Sequence, residues 1–276
     1  MTGPLVSTDW LSGHLNDTVL RLADVRWYPG EPDRGRRAYE EAHIPGAIYV
    51  DLETDLSAAR GPGRHPLPDW DVFAARMGEL GMGDDSVVVA YDDRGGGVAA
   101  RLWWMLRAIG HEHTHVLDGG LAAWTADGNP LTGDSPNHAP AKLTVDLRSG
   151  ITVDRDELRN RLGAVLALDA RAAERYRGEV EPLDPIAGHI PGAVNAPYEG
   201  NLDADGRFLP AETLAARYRG LGVGGETETV VYCGSGVTAC HNLLAVEYAG
   251  LGEALLYPGS WSDWSTAGYE VATGPE

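Results

Sequence analysis

Short apolar runs alternate with amphipathic stretches along this chain. "SVVVAYD" (86–92) reads as a strand, and "VAARLWWMLRAIG" (98–110) follows it with helical spacing. "TVVYC" (229–233) is a second β-branched run, followed after a glycine-bracketed loop by the helical pattern "VTACHNLLAVEYAG" (237–250). Strands alternating with helices predict α/β units built on a mainly parallel sheet.

The pattern is written twice. "AHIPGAIYV" (42–50) returns as "GHIPGAVNA" (188–196), with His43 and His189 146 positions apart. "LADVR" (22–26) matches "LALDAR" (166–171), and "LPDWDVFAAR" (67–76) matches "LPAETLAAR" (209–217). "VVVAYD" (87–92) matches "TVVYC", and "VLDGGLAAW" (116–124) matches "LLYPGSWSDW" (255–264). Matched segments in one order indicate a duplicated domain. The stretch between the copies is rich in Pro, Ser and Asn in its first half and lacks a period, so it reads as a linker. The expected organisation is a first domain over 1–133, a linker over 134–149 and a second domain over 150–276.

Composition narrows the partners. The 276 residues are 43% hydrophobic, enough for real cores, and carry a formal net charge of −19. Such a chain repels nucleic acid and anionic lipid, and an anionic small substrate needs a local positive pocket. No apolar run approaches a membrane span, and the start lacks the pattern of a signal peptide, so a soluble cytoplasmic protein is the expectation. The two cysteines, Cys233 and Cys240, form neither a disulfide framework nor a CxxC pair. No metal or cofactor is expected; "HEHTH" (111–115) reads as a solvated connection between a helix and a strand.

Comparing the copies separates architecture from chemistry. "HIPGA" occurs in both, so His43 and His189 read as turn-fixing residues, and Trp103, Trp104, Trp124 and Trp264 as packing. Cys233 differs: its counterpart is Asp92. It stands where a strand ends, before "GSG" and a helix start. Glycines let successive N–H groups converge there, and the helix N-terminus adds partial positive charge. That setting suits a thiolate nucleophile. Cys240 reads as a small buried residue. The loop also resembles the phosphate cradle of cysteine phosphatases, but Ala239 stands where they need arginine. The duplicated α/β pattern likewise disfavours a papain-like protease.

With these motifs on the page, the chain resembles the tandem-domain rhodanese family, and most closely its 3-mercaptopyruvate sulfurtransferase branch. "YEEAHIPGAIYV" fits the family's first signature; "YPGSWSDW" fits its second, with Asp263 where Glu is usual. "CGSGVTA" is typical of the mercaptopyruvate branch. The resemblance implies two rhodanese-like domains, with the active site between them and the first domain catalytically silent. It implies that Cys233 takes a sulfane sulfur as a persulfide and yields it to cyanide or to a thiol, such as thioredoxin or a low-molecular-weight thiol. Ser235, His65 and Asp51 match a proposed relay, with Gly234, Gly236, Val237 and Thr238 lining the loop. Arg175 matches the substrate arginine; Arg171 is a second candidate with a strong structural reading, because Arg26 is its partner in the first copy, and Arg177 reads as a solvated charge. A further carboxylate-binding arginine is usual where this chain has Leu183. A thiosulfate:cyanide sulfurtransferase and a non-enzymatic persulfide carrier are the alternatives.

Overall fold

A computed structural model of the chain describes residues 3–275; the expected outer limits at 1 and 276 lie outside them. The chain divides into two compact units, and the division is not a single cut. Unit 1 takes the chain up to Ala58, then Pro68–Arg148 and Asp203–Phe208; unit 2 takes Ala59–Leu67, Ser149–Leu202 and the chain from Leu209. Each unit therefore includes a short segment from the other half of the sequence.

Unit 1 is built on a five-stranded sheet: β1 (Leu5–Val6), β2 (Leu20–Asp24), β3 (Ala47–Tyr49), β4 (Val87–Tyr91) and β5 (Thr114–Leu117). The order is β1-β5-β4-β2-β3, with every pairing parallel. Parallel strands require crossovers, supplied by α1 (Thr8–His14), α2 (Arg34–Glu41), α3 (Trp70–Glu79) and α4 (Ala99–Ala108), and α5 (Gly120–Ala126) follows the last strand. Local chemistry marks the helix starts: Ser7 Oγ accepts the Trp10 N–H, and Asp69 caps α3 through the Asp71 and Val72 amides. β4 lies between β5 and β2, which explains why its Val88–Tyr91 run is apolar on both faces and buried.

Unit 2 repeats the plan. β6 (Leu166–Asp169), β7 (Val194–Asn195), β8 (Thr229–Tyr232) and β9 (Leu255–Leu256) form a parallel sheet in the order β7-β6-β8-β9. A parallel bridge from Thr152 to Leu256 stands where unit 1 has β1. The helices are α6 (Arg155–Arg161), α7 (Ala173–Tyr176), α8 (Ala211–Gly220), α9 (Thr238–Tyr248) and α10 (Ser260–Trp264). α9 is buried from Ala239 to Val246, so the helix after Cys233 is a core element.

The duplicated motifs are architecture, as their repetition suggests. His43 Nδ1 lies 2.6 Å from the Tyr39 carbonyl, and the ring stacks on Tyr39; His189 does the same with Tyr176 at 2.7 Å. The Tyr91 hydroxyl accepts the Ile44 N–H, and the Tyr232 hydroxyl accepts that of Ile190. The four tryptophans are buried, and the Trp124 and Trp264 indoles each donate to a carbonyl six residues on.

The expected linker is pinned to unit 1, and the reading of "HEHTH" needs correction. The linker is laid along unit 1 through Arg148: the Asp84 N–H donates to the Lys142 carbonyl, and the amides of Asp146 and Arg148 donate to Ile109 and Ala108. Gly78 permits this approach, because a Cβ there would stand 2.5 Å from the Ala141 carbonyl oxygen. "HEHTH" is not wet throughout. His111 and His115 are buried, bridging Thr114 and the Gly83 carbonyl in one case and reaching the Gly3 carbonyl in the other. Imidazoles that find backbone carbonyls can be buried without an unmet donor.

Asp92 reveals the demand of the strand-end loop. One carboxylate oxygen accepts the Arg94 and Gly96 amides at 2.8 and 2.9 Å; the other accepts those of Val98 and Ala99 at 2.7 and 2.8 Å. Four amides converge on one buried anion. Asp92→Ala is expected to leave them unpaired and to lower stability by about 3 kcal/mol or more, measured by denaturant unfolding. An unchanged midpoint would mean that the loop does not need its anion.

Candidate active site

Cys233 directly follows β8, at the position equivalent to Asp92, and is buried at 1% exposure. Its N–H donates to Ser260 Oγ at 3.1 Å. The carbonyls of Cys233 and Gly234 accept the Trp261 and Ser262 amides, each at 2.9 Å, so the start of α10 holds the loop. Ser260 bears the cost with φ +53, a strained value for a residue with a side chain; its hydroxyl donates to the Tyr257 carbonyl.

The Gly236 N–H points at Cys233 Sγ, 3.1 Å away. An amide aimed at sulfur, at the head of a core helix, favours negative charge there. Val237 and Thr238 occupy the cap and first turn of α9, as Val98 and Ala99 do for α4, where their amides hold Asp92. Gly236 has φ +76, and a Cβ there would lie 2.4 Å from the Pro258 carbonyl oxygen. Cys240 is buried in α9 with its thiol toward the Gly236 carbonyl, in keeping with an internal role.

His65 belongs to unit 2 through the Ala59–Leu67 segment. Its Nδ1 lies 2.7 Å from Ser235 Oγ, and both residues are buried. Two residues of the expected relay, from distant parts of the sequence, are thus brought together. Asp51 lies in unit 1, where its carboxylate accepts the Glu53 and Thr54 amides.

The arginines divide by duty. Arg171 is spent internally: its guanidinium pairs with Asp169 at 2.6 Å, donates to the Gly188 carbonyl at 2.6 Å and reaches Glu181 at 3.2 Å. Arg26 makes the same brace with Asp24 and the Ala42 carbonyl. The structure therefore favours the bracing role of Arg171 over substrate contact. Arg175 is partly exposed, held by Glu181 at 2.7 Å, and its guanidinium approaches Gly234. Arg177 pairs with exposed Glu179. Leu183 is exposed, and its N–H donates to Glu181.

Sequence reasoning missed Arg64, Asp184, Glu181 and Ser260. Arg64 pairs with Asp184, and its amide donates to Ser262 Oγ at 3.0 Å. Burial pushes the Asp184 carboxyl up from its ordinary value, and Arg64 pulls it back. The available signal was the run of acids after the arginines in "RYRGEVEPLD". A cavity of about 480 Å³ opens beside Tyr257, Pro258, Gly259 and Asp263. Cys233 does not line it, so the thiol and its amides mark the candidate site, not the cavity.

Fold and site define a duplicated α/β protein with one strand-end thiol and a carboxylate in the matching place. The rhodanese-like domain model matches residues 7–127 and 154–267, and the chain belongs to that family. A relative from Pseudomonas aeruginosa, named as a probable 3-mercaptopyruvate sulfurtransferase, is 46% identical over 269 residues, 95% of each chain. The human 3-mercaptopyruvate sulfurtransferase is 37% identical, over 94% of this chain and 91% of its own. The solved structure of SseA from Escherichia coli, a 3-mercaptopyruvate enzyme, superposes with a TM-score of 0.84 at 35% identity, covering 95% of this chain and all of its own. Such relatives make this chain an enzyme of the sulfurtransferase class.

Gly236→Ala is expected to cost about 1–3 kcal/mol, since it forces a side chain into left-handed backbone and against Pro258. Denaturant midpoints measure the loss; a midpoint equal to the parent's would show that the loop tolerates a Cβ there.

Proposed function

We propose that this enzyme takes sulfur from 3-mercaptopyruvate, holds it as a persulfide on Cys233 and passes it to a thiol or to cyanide. The observation that carries the reading is the Cys233 sulfur beneath the Gly236 amide, in a loop whose own side chains bring no cation. The names of the relatives from Pseudomonas aeruginosa and human support the same donor.

In the first step the Cys233 thiolate attacks the donor's thiol sulfur. The new S–S bond forms as the donor's C–S bond breaks, and the carbon leaves with the bonding pair as pyruvate enolate. The thiol hydrogen stays on the transferred sulfur, and the enolate takes a proton to become pyruvate. The amides of Gly236, Val237 and Thr238 hold the charge that builds on sulfur, as the matching loop holds Asp92. His65 and Ser235, hydrogen-bonded to each other, carry protons to and from the donor. Asp51 joins them on the resemblance alone. Arg175 receives the donor carboxylate, and Arg171 braces Glu181, which orients Arg175. In the second step an acceptor thiolate attacks the outer sulfur, carries it away as a new persulfide and restores the Cys233 thiolate.

Thiosulfate is the second reading. A relative from Mycobacterium tuberculosis, 42% identical over 252 residues, 90% of this chain and 88% of its own, is named for thiosulfate. The guanidiniums near Gly234 would attract that dianion too. For this chain, 3-mercaptopyruvate is expected to give the higher kcat/KM with a common acceptor; a higher value for thiosulfate would promote the second reading. No helix among the described residues is long and apolar enough to cross a membrane.

Donor without acceptor is expected to add one sulfur to the intact mass of the enzyme. Cys233→Ser should lose both adduct and turnover, while Cys240→Ala keeps them; full turnover in Cys233→Ser would refute the persulfide. His65→Ala is expected to lower kcat by roughly 10²–10⁴-fold. A rise in KM alone, at unchanged kcat, would instead make His65 a binding residue.

A further inference from the structure

We propose that Asp263 is a positioning residue for the reaction: through the turn over 257–260, its carboxylate holds the loop that aims the Gly236 amide at the Cys233 sulfur. The inference rests on Cys233 as the reacting group, and not on the identity of the donor.

Comparison of the two copies singles this residue out. The Leu121 N–H donates to the Asp92 carbonyl as the Trp261 N–H does to that of Cys233, so Gly120 matches Ser260. Both have left-handed backbone, at φ +55 and φ +53. Equal spacing then pairs Leu117 with Tyr257 and Ala123 with Asp263. The copy that carries the thiol has Tyr, Ser and Asp where the other has Leu, Gly and Ala. Leu117 and Ala123 are buried, so apolar residues satisfy the fold at these places. The polar trio belongs to the copy with the reactive atom.

The carboxylate is anchored on both sides. The Tyr257 hydroxyl donates to Asp263 Oδ2 at 2.8 Å, and Arg155 Nη1 donates to Oδ1 at 2.9 Å. Burial, and then the Asp263 charge, push the Tyr257 hydroxyl far above its ordinary value, so it stays a donor. Asp263 is buried against the turn: a Cβ on Gly259 would stand 2.6 Å from its Oδ2. That turn carries the backbone support of the thiol. The Pro258 carbonyl lies against Gly236, and the Ser260 hydroxyl takes the Cys233 N–H. The Trp261 and Ser262 amides take the carbonyls of Cys233 and Gly234. Ser260 keeps its strained φ only while its surroundings hold it. Relaxation would withdraw its hydroxyl from Cys233 and shift the loop. Asp263, bonded to Tyr257 at the start of the turn and packed on Gly259 near its end, opposes that release.

The test uses the full-length enzyme with Asp263→Ala, Asp263→Asn, Asp263→Glu and Tyr257→Phe, each assayed with 3-mercaptopyruvate and with thiosulfate against one acceptor. The rate of persulfide formation is followed by intact mass after mixing with donor alone. Asp263→Ala and Asp263→Asn are expected to lower kcat and the persulfide rate by about 10-fold or more, with KM near that of the parent, because the reacting sulfur is misplaced. Asp263→Glu should keep both rates near the parent's. It retains the carboxylate, and the cavity beside Asp263 has room for one more methylene. Tyr257→Phe, which removes one of the two anchors, should fall between. Should Asp263→Ala fail to fold, as judged by circular dichroism, Asp263→Asn and Tyr257→Phe carry the same test. A lowered denaturation midpoint with parental kcat and persulfide rate would overturn the proposal and leave Asp263 a brace of the fold. A rise in KM alone, or an Asp263→Glu enzyme as slow as Asp263→Asn, would overturn it too. A parent that prefers thiosulfate would sink the donor reading and leave this comparison intact, whereas turnover by Cys233→Ser would sink the persulfide and this inference together.

Discussion

Backbone amides that converge at the end of a buried parallel strand demand an acceptor, and the rest of this structure is arranged around that demand. In unit 1 the acceptor is the Asp92 carboxylate, which takes four amides at once. In unit 2 it is the sulfur of Cys233. The amides of this loop meet a carboxylate in one copy and a thiol sulfur in the other. The central placement of β4 and β8, the core helices behind them and the strained Ser260 all hold these amides in register.

A second layer of buried charge orients what surrounds the thiol. Asp169, Glu181 and Asp184 face Arg171, Arg175 and Arg64. Taking such groups out of water is costly, and each is tolerable only because its partners and neighbouring carbonyls meet it. Arg171, least exposed of the three, repeats the brace that Arg26 makes in unit 1 and so belongs to the architecture. Arg175 and Arg64 have no such duplicate pairing, and they remain partly open to solvent.

Much of this was legible in the sequence because duplication acts as an internal control. The repeated "HIPGA" turns proved to be stacked, hydrogen-bonded braces, and the one position where Cys met Asp proved to be the strand-end loop. Parallel α/β architecture followed from the alternation of apolar runs with helical spacing. The nearness of His65 to Ser235 came from resemblance, since no local pattern ties residues 170 positions apart. Arg64 escaped notice because its neighbours, Asp184 and Gly234, are also remote in sequence. Pro, Ser and Asn marked the linker as a segment without a period but not its placement, which hydrogen bonds to helix ends and turns pin down. "HEHTH" misled because polarity does not predict exposure when carbonyls lie within reach.

The chain's division into units constrains its engineering. Residues 59–67 are written in the first half but built into the second unit, and residues 203–208 the reverse. A genetic break between the halves would therefore not release two self-sufficient modules; each product would lack a loop that the other encodes. His65 would be left on the fragment without the thiol. A version of the second copy cut out at residue 149 and fused elsewhere would leave its histidine behind, so the two halves have to be truncated or fused as one block.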